Sequence, residues 1–393
     1  MQNSKHSKST QCMHAGVIED TTTQGINSPV FPSSAYKYRE TSEVIYPRYF
    51  NTANQQAIVK KLSTLEASED GLIFSSGMAA ISTALFGILK SGDHAIFQSE
   101  LYGGTHNFIN SEFHKFGIES TLVNGQDIQS FEAAIKPNTK VIYLETPSNP
   151  LLSITDIQAV AHLAKERNIT TLIDNTFASP INQNPIELGI DIVLHSGTKY
   201  LGGHSDLCFG ALLTSKKLKE KITKSALSFG GSLNAMDCYL IERSLKTLGV
   251  RVKQQNKNAM KLATFLHDHS DIAAVYYPGL EHHKDHEIAK RQMTGGFGGM
   301  LSFEIKDASM DQVNLFLDSL HLIQAAVSLG GVETTICSPK ETSHAKLSAE
   351  ERKKIGIRDG LLRLSVGIED VDDLIQDIEQ ALQKVKAEEV PLT

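Results

Sequence analysis

The feature that most constrains this 393-residue chain is the alternation of its middle third. Residues 141–145 form a short apolar run. Residues 157–167 repeat apolar side chains at helical spacing behind Thr155 or Asp156 as a cap. Residues 170–173 and 190–194 are two more apolar, β-branched runs. Strand, helix and strand at this spacing argue for a parallel sheet with right-handed crossovers. Ligands of open α/β sheets collect at the carboxyl ends of the strands, and the loops there carry Ser148-Asn149-Pro150, Asp174 and Lys199.

Residues 190–210, IDIVLHSGTKYLGGHSDLCFG, hold the chemistry. A lysine in a solvated loop stays an ammonium ion. Burial disfavours that form, and the free amine can form a Schiff base with a carbonyl. Lys199 follows a buried run and stands among the hydroxyls of Ser196 and Thr198, which could hold a phosphate beside it. Asp174 ends the run TTLID, where an aspartate can pair with a protonated pyridine nitrogen. Amine, phosphate anchor and carboxylate together suit pyridoxal 5'-phosphate. A lone Thr-Lys pair would describe only a loop, and the neighbours decide the matter.

HSGTKYLGGHSD, with IDNTF ahead of it, resembles the Cys/Met-metabolism PLP-dependent enzymes over about residues 10–385. The resemblance implies the aspartate-aminotransferase-like α/β fold (type I). That fold has a large, mostly parallel sheet domain and a smaller C-terminal α+β domain. The expected division is an N-terminal arm at 1–60, a PLP-binding domain at 61–255 and a substrate-side domain at 256–393. Pro29, Pro32 and Pro47 break the polar first 60 residues, which by themselves suggest no core.

Several further motifs match the same family. Tyr46-Pro47-Arg48-Tyr49-Phe50-Asn51 fits its Y-x-R-x-x-N pattern, so Tyr46 and Arg48 would touch the cofactor phosphate of a partner subunit. Phe50 and Thr52 stand where the family usually has glycine and proline. SSGMAA, a small-residue turn before a helix at 78–89, would be the phosphate loop, with Gly77 and Met78 donating backbone N–H groups. Tyr102 would stack on the cofactor ring and move protons, and Asn149 would bond its ring hydroxyl. Ser328 and Glu333, in SLGGVE, would line the substrate side, and Arg363 would clamp the substrate α-carboxylate bidentately.

With Lys199 and Tyr102 as catalytic groups, the resemblance implies γ-elimination on a sulfur amino acid. Cystathionine γ-synthase, which joins cysteine to an O-activated homoserine, is the alternative because the two reactions share their early steps. An aminotransferase and an inactive PLP-fold binding protein are remote alternatives. Gly104 stands where methionine γ-lyases carry cysteine, which favours the cystathionine branch. Asn107 replaces an arginine common in that branch, which weakens recognition of a distal carboxylate. The family also implies a homodimeric active unit, doubled to a tetramer.

Composition excludes other classes. A net charge of -7 gives no footprint for nucleic acid or an anionic membrane surface. No apolar run reaches membrane-spanning length, and the N-terminus lacks the apolar core of a secretory signal. Cys12, Cys208, Cys238 and Cys337 stand far apart without a CxxC, which suits free thiols in a cytoplasm. EHHKDH at 281–286 has no metal-ligand spacing, so no metal is expected and the segment reads as a solvated turn. Residues 345–358 read as a charged, solvated helix or loop.

Overall fold

The computed structural model describes residues 6–40, 43–342, 350 and 356–388, so most of the charged stretch 345–358 lies outside the described residues. The chain forms two compact units: Met1–Thr146 with Thr155–Val250, and Pro147–Ile154 with Arg251–Thr393.

The first unit opens with helices α1 (Lys8–His14) and α2 (Ala53–Glu66). Next come β1 (Asp70–Phe74), α3 (Gly77–Ile88), β2 (His94–Gln98), α4 (Gly103–Glu112), β3 (Glu119–Val123) and β4 (Thr139–Glu145). The unit's last strands are β5 (Thr170–Asp174), β6 (Ile192–Ser196) and β7 (Gly210–Thr214). They make one seven-stranded sheet in the order β1-β7-β6-β5-β4-β2-β3. β6, β5, β4, β2 and β3 run parallel, and β7 lies antiparallel between β6 and β1. Val141, Ile142, Tyr143 and Leu144 of β4 are all fully buried. Such an unbroken apolar run marks a central strand covered on both faces.

Local chemistry sets the ends of these elements. Asp156, rather than Thr155, caps the helix Ile157–Glu166, its carboxylate accepting the Ala159 N–H at 3.1 Å. β6 starts two residues later than the apolar run suggests. The Asp191 carboxylate is already committed to the Thr171 N–H and hydroxyl, at 2.8 and 3.0 Å. His195 and Ser196 are therefore strand residues, opposite Ala211 and Gly210 of β7.

The N-terminal residues, polar in sequence, do reach the core. Cys12 is fully buried, and its carbonyl accepts the Lys61 ammonium at 2.9 Å. Phe50 adopts a left-handed backbone, φ +58°, yet its ring is buried against Phe74, 5.3 Å between centroids. Forcing a non-glycine residue there costs about 1–2 kcal/mol, and burying a phenyl ring returns about 1.5–3 kcal/mol. The aromatic residue thus keeps the turn that glycine would take. Thr52 caps α2, and the Gln55 side chain accepts the Thr52 N–H at 3.1 Å.

The second unit holds a five-stranded sheet in the order β10-β11-β12-β9-β8. Its strands are β8 (Ile272–Tyr276), β9 (Met300–Ile305), β10 (Gln324–Ala325), β11 (Thr335–Cys337) and β12 (Leu361–Ser365). All neighbours are antiparallel except β10 and β11. A long helix runs from Leu248 to Asp268. Buried amides disguise its apolar face: Gln255 donates to the Gly331 carbonyl at 2.8 Å and Asn258 to that of Glu369 at 2.8 Å.

The segment 281–286 is a turn that leaves Glu281, His282 and Lys284 exposed, but two of its histidines are not solvated. His283 and His286 are each only 9% exposed, and the Nδ1 atom of His286 lies 2.9 Å from the Pro278 carbonyl oxygen. Among the described residues no cluster of side chains is arranged to hold a metal ion, and no helix is long and apolar enough to cross a membrane.

Candidate active site

Sheet order gathers much of the predicted machinery at one corner of the first unit. β7 lies between β1 and β6, so Phe74 and Ser196 both register with Gly210. The loop leaving β1 and the loop leaving β6 therefore meet over a glycine. A Cβ on Gly210 would stand 2.1 Å from the Ser76 carbonyl oxygen. One on Gly77 would stand 2.9 Å from the Ser196 Cβ and 3.0 Å from its Oγ. Ser76 caps α3 by accepting the Ala79 N–H at 3.1 Å, and Gly77 and Met78 open that helix. The result is a closely packed corner of small residues that brings together a helix N-terminus, hydroxyls and main-chain amides, groups that suit a phosphate.

The Lys199 loop is a tight turn of helical type. The Lys199 N–H donates to the Ser196 carbonyl at 3.2 Å, and the Lys199 carbonyl accepts from Gly203 at 2.8 Å. Thr198 is tied on both sides to Phe209: its N–H donates to the Phe209 carbonyl, and its hydroxyl accepts the Phe209 N–H, each at 3.2 Å. A Cβ on Gly197 would come within 2.2 Å of the Phe209 ring, so only glycine lets the turn close this tightly. Lys199 is half-buried.

Asp174 ends β5 with its carboxyl buried, accepting the Thr176 N–H at 3.0 Å. Burial raises its pKa above the ordinary carboxylate value, while the Thr176 hydrogen bonds and the charges of His195 and Lys199 act the other way. A cationic partner would return the carboxyl to its charged form. Tyr102 stands at the start of α4, half exposed, its N–H donating to a side-chain oxygen of Glu145 at 2.7 Å. Its ring lies over Gly104, where an added Cβ would sit 2.4 Å from the Tyr102 Cε1.

Arm residues Tyr46 and Arg48 are exposed. The Arg48 guanidinium donates to the Leu227 carbonyl and lies 5.2 Å from the Tyr49 ring centroid.

In the second unit, Arg363 projects from β12, 7% exposed. One guanidinium nitrogen, Nη1, donates to the Asn149 side-chain oxygen at 2.8 Å. Nη2 donates to the Ser328 carbonyl at 3.3 Å, and Nε is buried without a hydrogen bond. Among the described residues no carboxylate forms an ion pair with it. A buried guanidinium without an anion is costly, and a substrate carboxylate would answer both its charge and its open donor. Ser328 is exposed with φ +78°, and Glu333 is exposed beyond the two glycines.

Comparison with known proteins agrees with this geometry. Residues 9–383 match the family described as Cys/Met metabolism PLP-dependent enzyme. A cystathionine gamma-lyase of Bacillus subtilis is 44% identical over 381 residues, covering 96% of this chain and 100% of that protein. A cystathionine beta-lyase of Lactococcus lactis is 43% identical, covering 95% and 98%. The crystal structure of cystathionine gamma-lyase from Lactobacillus plantarum complexed with L-serine superposes with a TM-score of 0.92. It is 40% identical and covers 97% of this chain and 100% of that one.

The chain belongs to the Cys/Met metabolism PLP-dependent enzyme family. It is therefore an α/β enzyme whose cofactor is pyridoxal 5'-phosphate, and the glycine-walled corner, the buried Asp174 and the half-buried Lys199 fit that group.

Two features of this corner are not singled out by the sequence reading. One is a buried network under β6: Glu66 takes the His195 Nε2 at 2.6 Å and the Asn175 amide at 2.9 Å on one oxygen, and the Asn184 amide at 3.2 Å on the other. The other is Glu145. The hint for Glu145 was a carboxylate ending an apolar run, the same pattern that marks Asp174.

Proposed function

We propose that this enzyme is a carbon–sulfur lyase that carries out γ-elimination on a sulfur amino acid of the cystathionine type. For L-cystathionine, water is consumed and cysteine, 2-oxobutyrate and ammonia are released. The observation that carries the amino-acid reading is Arg363, a buried cation whose available donor lacks an anion. Relatives named for both γ- and β-elimination match at nearly equal identity, so similarity alone does not choose between them. Glu333 after SLGG resembles the cystathionine γ-enzymes. Gly104 also favours them: the cysteine of methionine γ-lyases would displace the Tyr102 ring from its present place.

Gly77, Met78, Ser196 and Thr198 would hold the phosphate, Asp174 the ring nitrogen, Asn149 the ring hydroxyl and Lys199 the aldehyde carbon. Bound pyridoxal phosphate supplies an electron sink for charge left at the substrate Cα. Arg363 orients the amino acid by its carboxylate, with Ser328 and Glu333 on the same side. The Lys199 amine would remove the Cα proton, and Lys199 and the Tyr102 phenol would take the proton that must leave Cβ and give one to the departing sulfur. The exposed Tyr46 and Arg48, whose guanidinium meets a main-chain carbonyl rather than a carboxylate, suit contact with a partner subunit's cofactor. A homodimer is thus the active unit, paired into a tetramer, and four cysteines that form no disulfide suit a reducing cytoplasm.

The test is incubation of purified enzyme with L-cystathionine, L-methionine, L-homocysteine, L-cysteine and an O-activated homoserine, assaying keto acids and thiols. Release of 2-oxobutyrate is expected. Pyruvate alone from every substrate would reassign the chain to β-elimination. Homoserine esters that react only when cysteine is added would make it a γ-synthase.

A further inference from the structure

Glu145 ends β4 and is 5% exposed, and Asp174 is its register partner on β5. Residues paired across parallel strands point to the same face, so two buried carboxyls stand side by side. On that face Tyr143 and Leu172 form the preceding register pair, both fully buried. Two carboxylates so placed in an apolar setting cannot both be charged. The surrounding bonds suggest how they divide the labour. Asp174 has the cations: the charges of Lys199 and His195 both act on it. Among the described residues, Asp174 is the charged group that acts on Glu145. The Glu145 carboxyl receives the Tyr102 N–H at 2.7 Å, and its main chain is locked to the Gln98 side chain by bonds of 3.0 and 2.6 Å. Its position is therefore rigid, and the backbone from which Tyr102 projects is fastened to it.

We propose that Glu145 is a positioning residue: its buried carboxyl fixes the start of α4 so that Tyr102 is held in place. It does so uncharged, which leaves the negative charge of the Glu145–Asp174 pair on Asp174. This rests on the lyase reading above, since it matters only if Tyr102 and Asp174 serve the cofactor. The direction of its titration agrees. Burial and the neighbouring Asp174 push the Glu145 carboxyl well above the ordinary carboxylate range, and the Tyr102 N–H only partly opposes them. The groups facing it are Asp174 from β5, the Tyr143 phenol from its own strand, the Tyr102 main chain from α4 and the uncharged Gln98 from β2.

Glu145→Gln keeps an oxygen for the Tyr102 N–H and cannot ionise, whereas Glu145→Ala removes the anchor. For the holoenzyme, Gln is expected to stay within about threefold of the parent in kcat/KM, and Ala to lose about tenfold to a hundredfold, mostly in kcat. The second readout needs no turnover: the thermal midpoint of the cofactor-free full chain from pH 5 to pH 8.5. A folded-state pKa above the unfolded one stabilises at low pH and loses that advantage as pH rises. Gln should therefore gain on the parent as pH rises and lose the lead toward pH 5. Equal losses for Gln and Ala, or a Gln–parent gap independent of pH, would overturn the proposal. Failure of the parent to release any keto acid would instead overturn the lyase reading and leave the thermal result standing.

Discussion

The two sheets bury opposite charges. The seven-stranded sheet hides two carboxyls side by side, Glu145 and Asp174, at the carboxyl ends of β4 and β5. The five-stranded sheet hides a guanidinium, Arg363, on β12, whose partners among the described residues are neutral oxygens. A fold selected for stability alone would avoid both, because unpaired buried charge is costly. Each unit instead keeps a deficit that a ligand of the opposite sign would fill. One is suited to a protonated ring nitrogen, and the other to a carboxylate.

The largest expected effect tests the first half of this contrast. Lys199→Ala should abolish the visible absorbance of the cofactor and lower turnover by about a thousandfold or more, because covalent attachment and proton transfer are lost together. Retained turnover at the parent rate would remove the basis for every other assignment in that corner.

Next comes Arg363→Met, which sharpens the second half. If Arg363 serves the substrate, kcat/KM should fall about a hundredfold, chiefly through KM, as expected for a charge-assisted clamp. The thermal midpoint should hold or rise, because a buried charge is replaced by an apolar side chain. A drop in midpoint with KM unchanged would make Arg363 a structural residue and break the contrast.

The smallest effect concerns the arm. Phe50→Gly relieves the left-handed strain but removes a buried ring, so the net loss should be about 1 kcal/mol, read as a shift of a few degrees in thermal midpoint. A gain in stability would show that strain, not packing, dominates this turn.

Much of this was legible from the residues. The parallel alternation around β4, β5 and β6, and the hydroxyls beside Lys199, follow from periodicity and spacing. What stayed hidden depended on contacts between distant segments. Gln255 and Asn258 are polar by type but buried by amide-to-carbonyl bonds, which masks the inward face of the helix Leu248–Asp268. His283 and His286 belong to a charged string, yet tertiary packing buries them. Glu145 shares the strand-end signature of Asp174, but only sheet register shows the two as neighbours. The glycine wall at Gly77 and Gly210 likewise depends on β7 entering between β1 and β6.

The Phe50 ring presses on the final residue of β1, and the next residues, Ser75 to Gly77, are the turn that feeds α3. The hook bearing Tyr46 and Arg48 is thus plugged into the same strand end that shapes the anion pocket. A shift of that hook, whether by truncation or by contact with another copy, would be transmitted to the pocket's own main-chain amides. In the proposed dimer, assembly and cofactor retention would be linked through this one aromatic stopper.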